Sequence, residues 1–421
     1  MTQSINLYSQ LAKSKLISKS INFDLKRIKL VLKKLNNPEK KLKNVVNIIG
    51  SDGKYSLLTS LKYFIEANKQ KTSAYISPSL KDIKERFWMG DNFLSHKEIK
   101  KTIKIIEKQK INLTIFEALT VIFILNAAKK DNDYNLIEAG ALFAKDSTNV
   151  FDFPKIQTIV NINKQHLNFL KKKTLAEIIF QKVGFLSNFT NIYIGKQHPQ
   201  VLSKIKQLLK KNTSSVQYPG RWKLLKINNI FFYKDKKTKI KLITKYIHSK
   251  GLLENLCLAI KIALDLNIDK KIIIKTIPKI KLQARIDYLT KGKLLKKITK
   301  NEKILIDGCH SETSAKNLAN YLKTIKIPIY GIWGMTKNKE PEKFIKQFKG
   351  IFKKIITIQI ENDTSASISN KRLFNIAKDN NFTTLISSNF EDALKKISSE
   401  ERKVICVFGS LYLCGNVLNK N

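Results

Sequence analysis

Apolar positions along the chain fall into two regimes, short β-branched runs and longer stretches at helical spacing, and the two alternate. Val45-Val46-Asn47-Ile48-Ile49 is a run of the kind that fills a buried strand, and a glycine turn separates it from a helical period over about Lys54 to Ala67. Thr72 to Ile76 reads as a second strand and Leu113 to Lys129 as an amphipathic helix. Asn135 to Ile137 and Ile156 to Val160 are further strands, followed by a helix over Thr174 to Leu186. Strands that alternate with helices predict a mostly parallel sheet covered on both faces.

Between Trp222 and Tyr246 the pattern shortens. Leu224 to Ile227 and Ile230 to Tyr233 flank Asn228-Asn229, a hairpin signal that predicts a small antiparallel insertion. Helices resume near Leu252 and run to about Thr276. A second alternating run has strands at Lys303 to Ile306, Ile327 to Tyr330, Lys354 to Ile358 and Val404 to Phe408. A boundary near Lys279–Lys281 divides the chain into a large domain over 1–279 and a smaller one over 280–421, both α/β with parallel sheets. No repeat of about 20–50 residues is visible, which excludes solenoids.

Composition sharpens this picture. A chain of 421 residues suits two domains, and 43% apolar with 27% charged residues supplies real cores and excludes disorder. The charge is lopsided, since 79 Lys+Arg against 33 Asp+Glu leaves +46. Such an excess invites a nucleic-acid or anionic-membrane partner. Yet it is nearly all lysine, spread from end to end beside inflated Ile and Asn, as a bias toward A/T-rich codons produces. No specific nucleic acid and no membrane partner are expected. Cys257, Cys309, Cys406 and Cys414 have no C-x-x-C spacing and sit in apolar runs, so they read as buried thiols of a reduced compartment. Met1 to Leu16 lacks the apolar stretch of a signal peptide, and no uncharged run approaches the ~18 residues that span a bilayer. These readings predict a soluble cytoplasmic protein.

The first candidate for chemistry is Gly50-Ser51-Asp52-Gly53-Lys54-Tyr55-Ser56, between a strand and a helix. Backbone N–H groups of such a turn suit phosphate oxygens, Lys54 suits terminal phosphates, and the Ser56 hydroxyl suits Mg²⁺. The strict Walker pattern fails, because it wants glycine where Ile48 stands. Taken alone, the segment also reads as an ordinary glycine turn.

The loop resembles the Mur-ligase phosphate loop, and more closely G-T-N-G-K-G-S of the folylpolyglutamate synthase/dihydrofolate synthase family. Leu25-Lys26-Arg27-Ile28 and Asn37-Pro38-Glu39-Lys40-Lys41 look like that family's approach to the loop. The resemblance continues in order through Ser77-Pro78-Ser79-Leu80 (S-P-H-L), Glu85-Arg86-Phe87 (E-R-[IF]) and Thr114 to Thr120 (T-x-F-E-x-x-T). Glu138-Ala139-Gly140 resembles E-V-G and Asp146-Ser147-Thr148-Asn149 resembles D-[AS]-T-N. His166 falls at the family's D-H and Lys182-Val183-Gly184 at E-K-A-G. In the second domain Gln283-Ala284-Arg285 resembles P-[GA]-R, Asp307 to His310 resembles D-G-A-H, and Gly409 to Leu413 is G-S-L-Y-L.

The resemblance implies an N-terminal P-loop ATPase domain of Mur-ligase type over 1–279, carrying the antiparallel insertion, and a Rossmann-like glutamate ligase domain over 280–421. It implies transfer of the γ-phosphate of ATP to the carboxylate of dihydropteroate or tetrahydrofolate, followed by attack of the glutamate amine on the acyl phosphate. Lys54, His166 and Lys182 take catalytic roles, Lys182 as the lysine that related ligases carbamylate. Gly50, Gly53, Lys54, Ser56, Asn255 (near the adenine), Arg285, Asp307 and His310 bind ATP. Ser56, Glu138 and His166 hold Mg²⁺. The chain is expected to act as a monomer on ATP, L-glutamate and the pterin acid.

Each residue has a plainer reading. Glu138 suits a surface cap, His166 a solvent-facing helix start, and Lys182 is one lysine among dozens. Arg285 suits a water-facing position, and Asp307 a helix N-cap before Ser311. Phe87, Trp88 and Met89 suit the core, and Lys171-Lys172-Lys173 and Lys236-Lys237 a solvated surface. There are also departures from the family. Tyr55 replaces a glycine, Asp52 an asparagine, Ser79 a histidine, Gln165 the aspartate before His166, and Gln181 a glutamate. Gly140 to Lys145 replaces G-L-G-G-R-L, Gly251-Leu252 replaces H-Q, and Asn338-Lys339-Glu340 softens D-K-D. A catalytically weakened nucleotide-binding relative is therefore the alternative, and a basic polyanion-binding protein the one that charge alone supports.

Overall fold

The computed structural model describes residues 17–18, 22–361 and 366–421, so the signal-peptide reading of Met1 to Leu16 lies outside the described residues. Contacts divide the chain into two compact units. One takes the chain up to Thr244 together with Leu252–Ile280, and the other takes Lys245–Gly251 and Lys281–Asn421.

The first unit is built on a seven-stranded sheet. Its strands are β1 (Val45–Ile49), β2 (Thr72–Tyr75), β3 (Phe87–Met89), β4 (Tyr134–Glu138), β5 (Ile156–Ile159), β6 (Asn191–Ile194) and β7 (Ser215–Gln217). They lie in the order β3-β2-β4-β1-β5-β6-β7, parallel throughout except where β3 runs against β2. Every residue of β1 is buried, Asn47 included, as a strand covered on both faces requires. The strand order reverses at β1, with Ile48 paired to Glu138 on one side and to Thr158 on the other. The carboxyl ends of β1, β4 and β5 therefore flank a topological switch point, where open α/β sheets bind ligands. β3, β6 and β7 were not read from the sequence pattern.

Helix α1 (Lys54–Ala67) follows β1 and buries Leu57, Leu58, Leu61, Phe64 and Ile65. Helix α2 (Ile115–Ala127) starts two residues later than its apolar pattern suggests. Thr114 is its N-cap: the Glu117 N–H donates to Thr114 Oγ1 and the Glu117 carboxylate accepts from the Thr114 N–H, a reciprocal capping box. Helix α3 (Leu175–Val183) is capped by Thr174, and α4 (Lys250–Asp265) belongs to the first unit from Leu252 onward. The insertion is a three-stranded antiparallel sheet, β8 (Trp222–Ile227), β9 (Ile230–Asp235) and β10 (Lys239–Lys241). Asn228 and Asn229 adopt φ of 47° and 61°, the left-handed pair that a two-residue hairpin turn demands.

The second unit holds a six-stranded sheet of β11 (Asp287–Tyr288), β12 (Glu302–Asp307), β13 (Ile329–Trp333), β14 (Lys354–Thr357), β15 (Thr384–Ile386) and β16 (Lys403–Phe408). The order is β11-β12-β16-β13-β14-β15, parallel except for β11. β13 begins at Ile329 rather than Ile327, since Pro328 has no N–H for a ladder. Phe408 anchors the aromatic core, with its ring 4.9 Å from those of both Phe348 and Phe352. Helices α5 (Glu312–Leu322) and α6 (Leu411–Lys420) cover this sheet. All four cysteines are buried and free. Among the described residues no helix is long and apolar enough to cross a membrane.

Candidate active site

The turn after β1 depends on its glycines. Gly53, the N-cap of α1, has φ +100°, and a Cβ there would run into the Asn255 amide. Gly50 has φ +146°, and a Cβ would strike Val160. Only glycine lets the backbone take this path, which directs the N-terminus of α1 at the switch point. Lys54 is the first residue of α1, and its side chain curls back over the loop. Its Nζ donates to the Ser51 carbonyl at 3.0 Å and the Gly50 carbonyl at 3.3 Å, and stands 4.0 Å from Glu138 Oε1. Ser56 is buried; its Oγ donates to the Gly53 carbonyl at 2.8 Å and accepts from Asn255 Nδ2 at 2.9 Å. Asn255, expected near the adenine, thus has its amide on the glycine loop.

Glu138 closes β4 and is only 4% exposed, so it is no surface cap. Its Oε2 accepts from the Ser77 N–H at 3.2 Å. Lys182, in the last turn of α3, is 1% exposed, and it and Lys403 are the lysines buried among the described residues. Its Nζ donates to the Gly50 carbonyl at 2.8 Å and the Ala141 carbonyl at 2.6 Å. Lys54 and Lys182 therefore share one carbonyl oxygen. Burial, and next the neighbouring Lys54 charge, pull the Lys182 ammonium down to about 7, against the opposing pull of Asp146 and Asp52. Asp146 is buried too, and burial raises its carboxyl above the usual range despite hydrogen bonds from Thr148. The altered 140–145 turn stays tied to α3 through Lys182 and through the Ala144 N–H, which donates to the Gln181 carbonyl.

The segment after β5 lies against the phosphate loop. The Ser51 N–H donates to the Asn161 carbonyl at 2.7 Å, and the Asn163 N–H donates to Ser51 Oγ at 3.1 Å. Asp52 turns its carboxylate to this segment and accepts from Asn163 Nδ2 at 2.6 Å and Gln165 Nε2 at 3.1 Å. His166 follows with φ +61°, half-buried, its ring 6.0 Å from that of Phe169. It stands at the start of a short 3₁₀ turn, Leu167–Phe169, as the plain reading has it, without a side-chain capping bond and half-buried rather than in solvent.

In the second unit Asp307 ends β12 buried, but it is not a helix cap; Ser311 caps α5 through a box with Ser314. Asp307 instead accepts backbone N–H groups from Ile286 and Cys309, both at 2.8 Å. Burial raises its carboxyl, opposed chiefly by the Arg285 charge. Arg285 is half-buried in a turn where Ala284 and Ile286 have φ of 53° and 52°. Left-handed backbone at an alanine and a β-branched residue costs roughly 1–3 kcal/mol each and persists only where neighbours over-determine it. Here Asp307, Asp287 and the Gly308 N–H hold it in place. His310 places Nδ1 2.9 Å from the Gly308 carbonyl. Sequence alone did not announce this turn, because φ leaves no composition signal at alanine or isoleucine.

Gly50, Gly53, Lys54, Ser56, Glu138, Lys182 and Asn255 are thus gathered at one end of the first sheet. His166 is tied to the same loop through its neighbour Gln165. Arg285, Asp307 and His310 form a second cluster within the second unit. The roles of Asn163 and Asp146 were missed. Asn163 lies in no quoted motif and its partners Ser51 and Asp52 are distant in sequence, while Asp146 opens the D-[AS]-T-N match but shows its burial and its pull on Lys182 only in the fold. Lys171 to Lys173, Lys236 and Lys237 are exposed, and Phe87 and Met89 are core.

This architecture is two α/β units, the first with a glycine-shaped loop at the switch point of its sheet. Residues 290–420 match the family model described as dihydrofolate synthetase, C-terminal domain. The chain is 22% identical to a dihydrofolate synthase/folylpolyglutamate synthase of Buchnera aphidicola, over 86% of this chain and 84% of the relative. The structure of E. coli FolC in complex with DHPP and ADP superposes with a TM-score of 0.85 at 19% identity, covering 98% of this chain and 97% of that one. A bifunctional folylpolyglutamate synthase/dihydrofolate synthase with Mn, AMPPNP and L-glutamate bound gives a TM-score of 0.83 at 19% identity, over 98% and 97%. Over nearly its whole length the chain is thus similar to folylpolyglutamate synthase/dihydrofolate synthases, and its C-terminal part matches the dihydrofolate synthetase model.

Proposed function

We propose that this chain is an ATP- and Mg²⁺-dependent ligase that joins L-glutamate to dihydropteroate, a reduced folate, or both. The observation that carries the reading is the cluster of Lys54, Ser56 and Glu138 on glycine-shaped backbone at the switch point. Relatives described with ADP, AMPPNP, DHPP and L-glutamate support it. The γ-phosphoryl group of ATP passes to the substrate carboxylate, giving an acyl phosphate and ADP. The glutamate amine then attacks the acyl carbon and expels phosphate. Such a reaction asks for positioning and charge neutralisation more than for acid–base groups. Lys54 stands where it neutralises phosphoryl charge, and the N-terminus of α1 aims backbone dipole at the same oxygens.

Ser56, Glu138 and His166 would hold Mg²⁺. Ser56 and Glu138 offer the hard oxygen donors that Mg²⁺ takes alongside phosphate oxygens and water, while His166 is the nitrogen ligand that the resemblance implies. When bound, the ion supplies charge neutralisation at the β- and γ-phosphates. In the same reading residues 1–279 form the ATP-binding domain and 280–421 the glutamate ligase domain. Arg285, Asp307 and His310 contact the nucleotide. The protein works as a cytoplasmic monomer, to which the four free thiols are suited.

The test is ADP and phosphate release by purified protein with ATP, Mg²⁺, L-glutamate and either dihydropteroate or tetrahydrofolate. Release that requires both co-substrates is expected; ATP bound tightly without turnover would instead mark a nucleotide-binding relative that has lost its chemistry. Glu138→Gln is expected to raise the Mg²⁺ concentration for half-maximal activity by about tenfold or more, because a neutral amide is a poorer ligand than a carboxylate. An unchanged metal titration would remove Glu138 from the ligand set.

A further inference from the structure

Asp52 is an unusual residue for a turn that receives phosphates, since a carboxylate there repels the ligand unless it faces elsewhere. It does face elsewhere. Its Oδ2 accepts from two carboxamides of one segment, Asn163 at 2.6 Å and Gln165 at 3.1 Å, while its backbone forms an antiparallel bridge to Asn161. Ser51 adds the bonds from its N–H to the Asn161 carbonyl and to its Oγ from the Asn163 N–H. From the other side Gln197 accepts the Ile162 N–H at 3.0 Å and donates to the Val160 carbonyl at 2.8 Å. The start of the segment is therefore fixed by Gln197, and its far end, next to the left-handed His166, by the Asp52 carboxylate. Relative to the family pattern, acid and amide have exchanged places across this contact, with Asp52 for Asn and Gln165 for Asp.

We infer that Asp52 is a positioning residue that clamps the 163–166 segment to the phosphate loop and so sets where His166 stands; its functional arm rests on the ligase reading above. A carboxylate accepting from two amides is a charge-assisted pair that either partner can reverse, provided one side stays an acid and the other an amide. That symmetry makes the clamp separable from a loss of packing.

Four proteins test it: Asp52→Ala, Asp52→Asn, Gln165→Glu and the double variant Asp52→Asn/Gln165→Glu. Hydrogen–deuterium exchange without ligand is read over 161–166, and Mg²⁺-ADP against metal-free ADP binding is read by calorimetry. Asp52→Ala is expected to speed exchange at 163–166 about tenfold while the rest of the first sheet keeps its protection. Gln165→Glu is expected to be the most affected, since it opposes two carboxylates, and adding Asp52→Asn is expected to restore both exchange and Mg²⁺-ADP affinity. Asp52→Asn alone keeps an acceptor and is expected to be mild. Metal-free ADP affinity is expected to hold or rise in Asp52→Asn, as a negative charge has left the loop. Additive damage in the double variant, or wild-type exchange in Asp52→Ala, overturns the clamp. Restored exchange without restored Mg²⁺-ADP affinity overturns its action on His166. A wild-type protein that neither binds ADP nor turns over defeats the ligase reading, while the exchange data still decide the clamp.

Discussion

Lys54→Ala is expected to lower kcat by about 10²–10³-fold, the loss that follows removal of one preorganised group facing developing charge. The fold is expected to survive, because the Lys54 side chain spends its bonds on two loop carbonyls, of Gly50 and Ser51, and Gly50 keeps Lys182 as a donor. ADP release under saturating ATP and glutamate measures the effect, with thermal unfolding as the check on integrity. A variant that keeps wild-type kcat would end the phosphate-loop assignment. The substitution also has a local consequence. Lys54 is the second cause of the low Lys182 value after burial, so its removal is expected to raise the Lys182 ammonium toward its ordinary range.

Lys182→Ala is expected to be nearly inactive, with partial rescue by acetate or formate. The reason starts from protonation. A side chain held near 7 is substantially a neutral amine at physiological pH, and a neutral amine adds to CO₂, forming a C–N bond and releasing one proton. The product is an anionic carbamate, the form the family resemblance implies. The neutral fraction grows as pH rises through about 7, so wild-type protein stripped of CO₂ is expected to regain activity faster at pH 8 than at pH 6 when the dissolved CO₂ concentration is held equal. A small carboxylate replaces an anion and does nothing for a missing cation. Absence of rescue together with bicarbonate-independent activity would therefore show that Lys182 works as a plain amine on the Gly50 and Ala141 carbonyls.

The elements around the site were legible because each leaves a local trace. The four apolar residues of β1, the glycine turn and the period of α1 lie within 45–67 and need no distant partner to be recognised. The hairpin at Asn228-Asn229 was equally local. Short strands such as β3 and β7 were not, and neither was the late start of α2, where capping by Thr114 overrode apolar spacing. The ordered motifs carried the family resemblance, although plain readings of Glu138 and Lys182 as surface residues were open until their burial was seen.

What the chain determines by itself is the set of chemical groups and the order of elements that carry them, since both follow from short-range pattern and backbone sterics. What only the tertiary structure decided is the state of those groups. Lys182 and Gly50 meet across 132 residues of chain, Asn255 and Ser56 across 199, and Asp52 and Gln165 across 113. A lysine becomes a near-neutral amine, and an acid in a phosphate loop becomes a clamp, only when burial removes water and a particular partner arrives. Desolvation and pairing depend on distances in space, which no local spacing encodes.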